Sequence, residues 1–244
     1  MKHKVTKTKK IIIIIAAILV VLFGCSAIYF GNYYHSVDVE KYMSSSPEIA
    51  VEKFDDGWFF DGAGEEKALI FYPGAKVATE AYAPIMYELA ENGIDCFLVD
   101  MPFHMAFFGM NRAEDIMQEY DYKEWYLGGH SLGGAMAANF AADHADDISG
   151  LLLLAAYPTK DLSASDMSVV TVYGSEDGVL NMDKIAAGRE LMPADYKEIC
   201  IEGGNHAQFG SYGIQKGDKT ATISAEEQWK QTVEAFLSKN LILN

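Results

Sequence analysis

Cysteine is scarce: Cys25, Cys96 and Cys200 are the only three in 244 residues. They form no closely spaced pair, so neither a disulfide framework nor a zinc site is available, and Cys96 and Cys200 read as small core hydrophobes. Basic side chains are also few, 19 against 35 acidic ones, leaving a formal net charge of −16. Such an excess repels phosphate backbones and argues against a nucleic-acid partner. No internal repeat occurs, and no low-complexity segment apart from one isoleucine run. With 50% hydrophobic and 22% charged residues, the chain is able to bury one sizeable core and does not read as disordered.

Acidic residues are absent before Asp38, whereas Lys2, Lys4, Lys7, Lys9 and Lys10 cluster at the start. Between them lies 11–30, an apolar run broken only by Gly24, Ser26 and Tyr29. A helix of that length rises roughly 30 Å, the hydrocarbon thickness of a bilayer. The spacing predicts a cytoplasmic basic tip over 1–10, an uncleaved transmembrane anchor over 11–30, a polar stalk over 31–47 and a domain over 48–244. The lysines put the first end in the cytoplasm and the domain outside it. Leu22-Phe23-Gly24-Cys25 also resembles a lipobox, so a lipoprotein anchored at Cys25 is the alternative.

Beyond the stalk, short apolar runs alternate with amphipathic stretches. Strands are expected at 50–54, 57–60, 68–72, 95–100, 124–128, 148–157, 168–173 and 196–201. Helices are expected at 79–92, capped by Thr79 and ended by Gly93, and at 112–120, 132–144, 182–192 and 225–241. This succession predicts an α/β fold: a doubly wound, mostly parallel sheet of about eight strands with helices on both faces.

Ligands of such sheets bind beyond the carboxyl ends of the strands. There Gly129-His130-Ser131-Leu132-Gly133 joins a strand to a helix. The glycines let strand and helix approach, and the turn holds the Ser131 hydroxyl exposed. A serine hydroxyl is a weak nucleophile at neutral pH and needs a base. Of six histidines, His3 and His35 precede the domain, His144 falls near a helix end and His130 is locked beside the serine. His104 and His206 remain; His206 follows the last strand, while His104 reads as pocket wall or surface. The histidine in turn needs a carboxylate, and Asp177, with Glu176 as the less favoured neighbour, follows its own strand.

The order Ser131, Asp177, His206 resembles the triad of the α/β-hydrolase fold over about residues 48–241. Within that superfamily the chain resembles small, capless serine hydrolases related to dienelactone hydrolases and bacterial carboxylesterases. Dienelactone hydrolases use a cysteine nucleophile, so their substrate is not carried over to Ser131. The resemblance implies an oxyanion hole made by the backbone N–H of Leu132 and that of Ala75, with Lys76 as a second candidate for the latter. It implies no cofactor and no metal.

His130, Phe103, His104 and Phe107 are pocket candidates, since the aromatic loop 101–110 follows a strand on the ligand side. Core packing is the competing reading of that loop. The sequence thus leads to a membrane-tethered serine hydrolase of small to medium carboxylic esters. A peptidase, thioesterase or transacylase on the same residues, or a silent surface binding protein, are the alternatives.

Overall fold

The structure, a computed structural model, describes residues 7–240. It divides into two compact units, the first ending at Tyr33 and the second starting at Tyr34. The first is one helix, α1 (Lys7–Gly31). From Lys9 on it has a mean hydropathy of 3.2 and buries none of its length within the protein, so it is long and apolar enough to cross a membrane. Isoleucine is a middling helix former in water, but in lipid a helix is the one way a single segment satisfies its own backbone.

The second unit holds an eight-stranded sheet: β1 (Ala50–Phe54), β2 (Gly57–Asp61), β3 (Lys67–Tyr72), β4 (Asp95–Val99), β5 (Glu124–His130), β6 (Gly150–Leu154), β7 (Ser168–Gly174) and β8 (Tyr196–Ile201). The spatial order is β1-β2-β4-β3-β5-β6-β7-β8. The β1–β2 and β2–β4 pairs are antiparallel and all others parallel. Its helices are α2 (Ala83–Glu91), α3 (Arg112–Glu119), α4 (Leu132–Asp143), α5 (Met182–Gly188) and α6 (Ala225–Asn240).

Period-two alternation sorts the strand side chains between two cores. Leu69 and Phe71 of β3 and Leu152 and Leu154 of β6 join Ile85 and Met86 of α2 and Phe236 of α6. Ala68, Ile70 and Tyr72, with Leu151 and Leu153, join Ala113 of α3 and Phe140 of α4 on the other face. Both faces are covered, which is why these strands read as continuous apolar runs.

Four expectations are corrected. Thr79 caps no helix: Thr79–Tyr82 is a 3-10 turn, and α2 begins at Ala83-Pro84 without a side-chain cap. Proline lacks an N–H and suits the first turn of a helix, so the α-helix proper starts there. The strand expected over 148–157 is only Gly150–Leu154, because Ala155 takes a left-handed φ of 46°. Cys200 is exposed, while Cys96 is buried as expected. Finally, 31–47 is no free stalk beyond Tyr33. Tyr34 N–H donates to Lys76 O at 2.7 Å and Val37 N–H to Ser211 O at 2.8 Å, Val39 is buried, and Tyr42 packs edge-on against Tyr87 and Trp229.

Candidate active site

The loops after β3, β4, β5, β7 and β8 converge at the carboxyl edge of the sheet. Ser131 alone separates β5 from α4, at φ 54° and ψ −120°. A non-glycine residue there is strained, and the surroundings hold it. Its N–H donates to Leu154 O of β6 at 2.9 Å. A Cβ on Gly129 would lie 2.5 Å from the Gly133 carbonyl carbon, and one on Gly133 would lie 2.1 Å from Tyr72 O and 2.4 Å from Pro73 O. The glycines therefore let α4 start directly against both β5 and the turn after β3.

That turn presents few spare donors. Gly74 N–H donates to Tyr82 Oη at 3.0 Å, and Lys76 N–H donates to His104 O at 2.7 Å. Lys76 is thereby removed as an oxyanion donor, and the Ala75 N–H is the uncommitted one. Leu132 is the first residue of α4, where a helix leaves its N–H groups without intrahelical partners.

Asp177 and His206 come from the loops after β7 and β8. Asp177 Oδ2 lies 2.8 Å from His206 Nδ1, and their side chains are only 2% and 1% exposed. Asp177 Oδ1 accepts from Val179 N–H at 2.8 Å and Leu180 N–H at 2.7 Å, which fixes the carboxylate. With Nδ1–H donated to Asp177, Nε2 is the free acceptor of the imidazole. Nε2 is buried and has no hydrogen-bond partner, Ser131 Oγ included. Ser131 and His206 nevertheless line one cavity of about 260 Å³. Glu176 points elsewhere, its carboxylate 3.9 Å from Lys219 Nζ.

His130 is buried, its ring 4.4 Å from that of His206 and its Nδ1 2.8 Å from Tyr82 Oη. Burial, and His206 beside it, hold its imidazole well below the ordinary value, so it is neutral. His104 contributes its carbonyl to the turn after β3 rather than a base to Ser131; its ring too is lowered, mainly by burial.

The cavity walls are not the expected ones. Ala135, Ala155, Ala156, Tyr157, Val179 and Leu180 line it, and His130, Phe103, His104 and Phe107 do not. Phe103 and Phe107 are 61% and 66% exposed, so core packing does not describe them, and Phe107 lines a separate cavity with Pro102, Phe108 and Met110. Val179 and Leu180 are within reach of sequence reasoning, since they follow Asp177 by two and three residues in the same loop. Among the described residues no group of three or more His, Cys, Asp or Glu is placed to hold a metal ion.

Known structures share this fold. A CIB-like hydrolase from Thermoplasma acidophilum superposes with a TM-score of 0.60 at 15% identity, over 79% of this chain and 100% of that one. Est1E from Butyrivibrio proteoclasticus gives 0.55 at 16% identity, over 79% and 98%. A bacterial heroin esterase gives 0.55 at 13% identity, over 82% and 87%. No curated protein matches the chain by sequence. The family model for alpha/beta hydrolases, however, matches residues 68–230, from β3 into α6, and the chain belongs to the alpha/beta hydrolase family.

Proposed function

We propose that the protein is a membrane-tethered serine esterase acting on carboxylic esters of small to medium size. The observation that carries this reading is the buried Asp177–His206 pair at 2.8 Å, opening on the cavity that Ser131 lines. Ser131 Oγ attacks the ester carbonyl while His206 Nε2 takes its proton, and Asp177 stabilises the imidazolium that forms. The Ala75 and Leu132 N–H groups receive the oxyanion, and each such donor contributes about 3 kcal/mol to transition-state stabilisation. Collapse of the tetrahedral species breaks the ester C–O bond, and His206 returns the proton to the departing alcohol. Water then repeats the sequence on the acyl-enzyme, activated by the same nitrogen, and releases the acid. The strained Ser131 backbone suits a chemical role, since Gly129 and Gly133 are both spent on holding it.

The esterases among the structural neighbours support the ester reading, and the small apolar cavity favours short acyl groups. The apolar helix α1, with its lysine-rich approach, supports tethering with the domain outside the cytoplasm.

The test is a panel of p-nitrophenyl esters of increasing acyl length, with matched thioester and amide, on the purified protein. Fastest turnover of the shortest esters is expected, together with fluorophosphonate labelling that mass spectrometry maps to Ser131. Preference for the amide or the thioester would reassign the activity, and an unlabelled, inactive protein would overturn it. In cells, α1 should keep the protein in the membrane pellet through an alkaline wash, with its N-terminal peptide intact; a diacylated Cys25 would instead establish the lipoprotein.

A further inference from the structure

We infer that Asp218 is a positioning residue that clasps the loop carrying Asp177 to the loop carrying His206, an assignment that rests on the esterase reading. Its Oδ1 accepts from Gly178 N–H at 2.9 Å and from Lys219 N–H at 2.9 Å. Its Oδ2 accepts from Ala207 N–H at 2.8 Å. Gly178 and Ala207 are the residues directly after Asp177 and His206, so one carboxylate grips the backbone beside each.

The strap that carries Asp218, residues 217–219, is built to keep it there. A Cβ on Gly178 would lie 2.7 Å from Gly217 O and 2.9 Å from Lys219 N, so only glycine admits the strap this close, and Gly217 itself turns at a φ of +93°. Asn205 Nδ2, beside His206, donates to Lys219 O at 2.7 Å. On the strand side the two loops are already tied by Glu176 N–H to Gly204 O at 2.8 Å. Asp218 supplies the matching tie beyond the acid and the base, so the Asp177–His206 bond is held from both ends. An ionised carboxylate suits this task, because both its oxygens accept and charge strengthens the bonds. Asparagine would offer one oxygen and turn an NH2 toward a backbone donor.

Without the clasp the pair spreads, His206 loses its orientation, and its protonated form loses support. A misplacement of about 1 Å suffices for roughly a 100-fold loss of rate. The other titratable groups around the pair are His130 against the His206 ring, the Glu176–Lys219 pair, and Tyr212, which feels both Asp177 and Asp218. All of them are unchanged in the variants below.

Asp218→Ala should lower kcat by about 10- to 100-fold with KM altered less than about threefold, and move the acid limb of kcat/KM to lower pH. Gly178→Ala, which forces the strap away while keeping the Asp218 charge, should do the same, and Asp218→Asn should fall between. The low-field proton resonance of His206 Nδ1–H, read without substrate, should weaken in all three. Wild-type kcat and an unmoved acid limb in Asp218→Ala would overturn the assignment. So would Asp218→Asn and Gly178→Ala behaving as wild type if Asp218→Ala failed to fold. Should the wild type turn over no ester, the esterase reading fails by itself, and the resonance still decides whether Asp218 holds the pair.

Discussion

Tyr82 Oη lies 2.8 Å from His130 Nδ1, linking residues 48 positions apart, and the same oxygen accepts the Gly74 N–H at 3.0 Å. Burial pushes the Tyr82 hydroxyl far above its ordinary range, so it keeps its proton and donates it to the neutral imidazole. One hydroxyl thereby couples the turn that offers Ala75 to the strand end that offers Ser131. Tyr82→Phe strands a buried backbone N–H and a buried ring nitrogen at once. Each costs about 1–3 kcal/mol, so a loss of about 2–6 kcal/mol in stability is expected, with a lower kcat as the turn loosens. Urea unfolding and ester kinetics on the same variant test this; a change below about 0.5 kcal/mol would contradict it.

Ser131 separates strain from chemistry. Ser131→Ala should reduce ester turnover to the level that binding and the oxyanion donors alone sustain, and abolish fluorophosphonate labelling. Ser131→Gly should be equally inactive. Because its φ of 54° costs glycine nothing, it should be more stable than the alanine variant by about 1 kcal/mol. Thermal unfolding of the two variants gives the comparison, and equal stabilities would show that the turn is unstrained.

What was legible in the sequence is what leaves a local trace. The run Leu151–Leu154 announced a strand covered on both faces, and Gly129 to Gly133 announced the turn that exposes Ser131. Asp177 and His206 stood out because each follows its own strand. Tyr82 and Asp218 left no such trace, since Tyr82 meets His130 across 48 positions and Asp218 meets Gly178 across 40, contacts that no local pattern marks. The loop holding Phe103 and Phe107 misled, because aromatic composition implies burial while positive φ at both Phe103 and His104 is a backbone choice that composition does not encode. The polar composition of 34–47 misled for the same reason: its ties to Lys76 and Ser211 are main-chain bonds, open to any sequence.

His130 gives a stability signature in pH. Its folded-state imidazole lies well below the ordinary 6.5, so the unfolded chain takes up a proton that the folded protein refuses. This contribution is therefore complete above pH 6.5 and is lost as pH falls below it, by up to about 1.4 kcal/mol per pH unit. His130→Asn keeps an acceptor for Tyr82 and carries no such proton. Its stability should vary less between about pH 5 and 6.5 than that of the wild type, as read by urea unfolding at several pH values. Parallel curves for the two proteins would show that His130 is protonated in the fold.

The boundary between the two units gives the last prediction. Removing residues 1–33 deletes α1 and stops where the second unit begins, so that variant should be soluble, folded and as active as the full chain. Removing residues 1–44 goes further. It takes away Tyr34, whose N–H and carbonyl bracket the turn after β3 through Lys76 O at 2.7 Å and Ala78 N–H at 2.8 Å. It also uncovers the site of buried Val39 and the faces of Tyr87 and Trp229 against which Tyr42 packs. Losing one buried valine and most of one tyrosine contact costs about 3–5 kcal/mol, a large share of the stability of a domain this size. The longer deletion should therefore unfold at lower urea, and its kcat should drop because the Ala75 turn has lost its outer brace. Equal unfolding midpoints and equal kcat for the two deletions would mean that 34–44 is the free stalk its composition suggests.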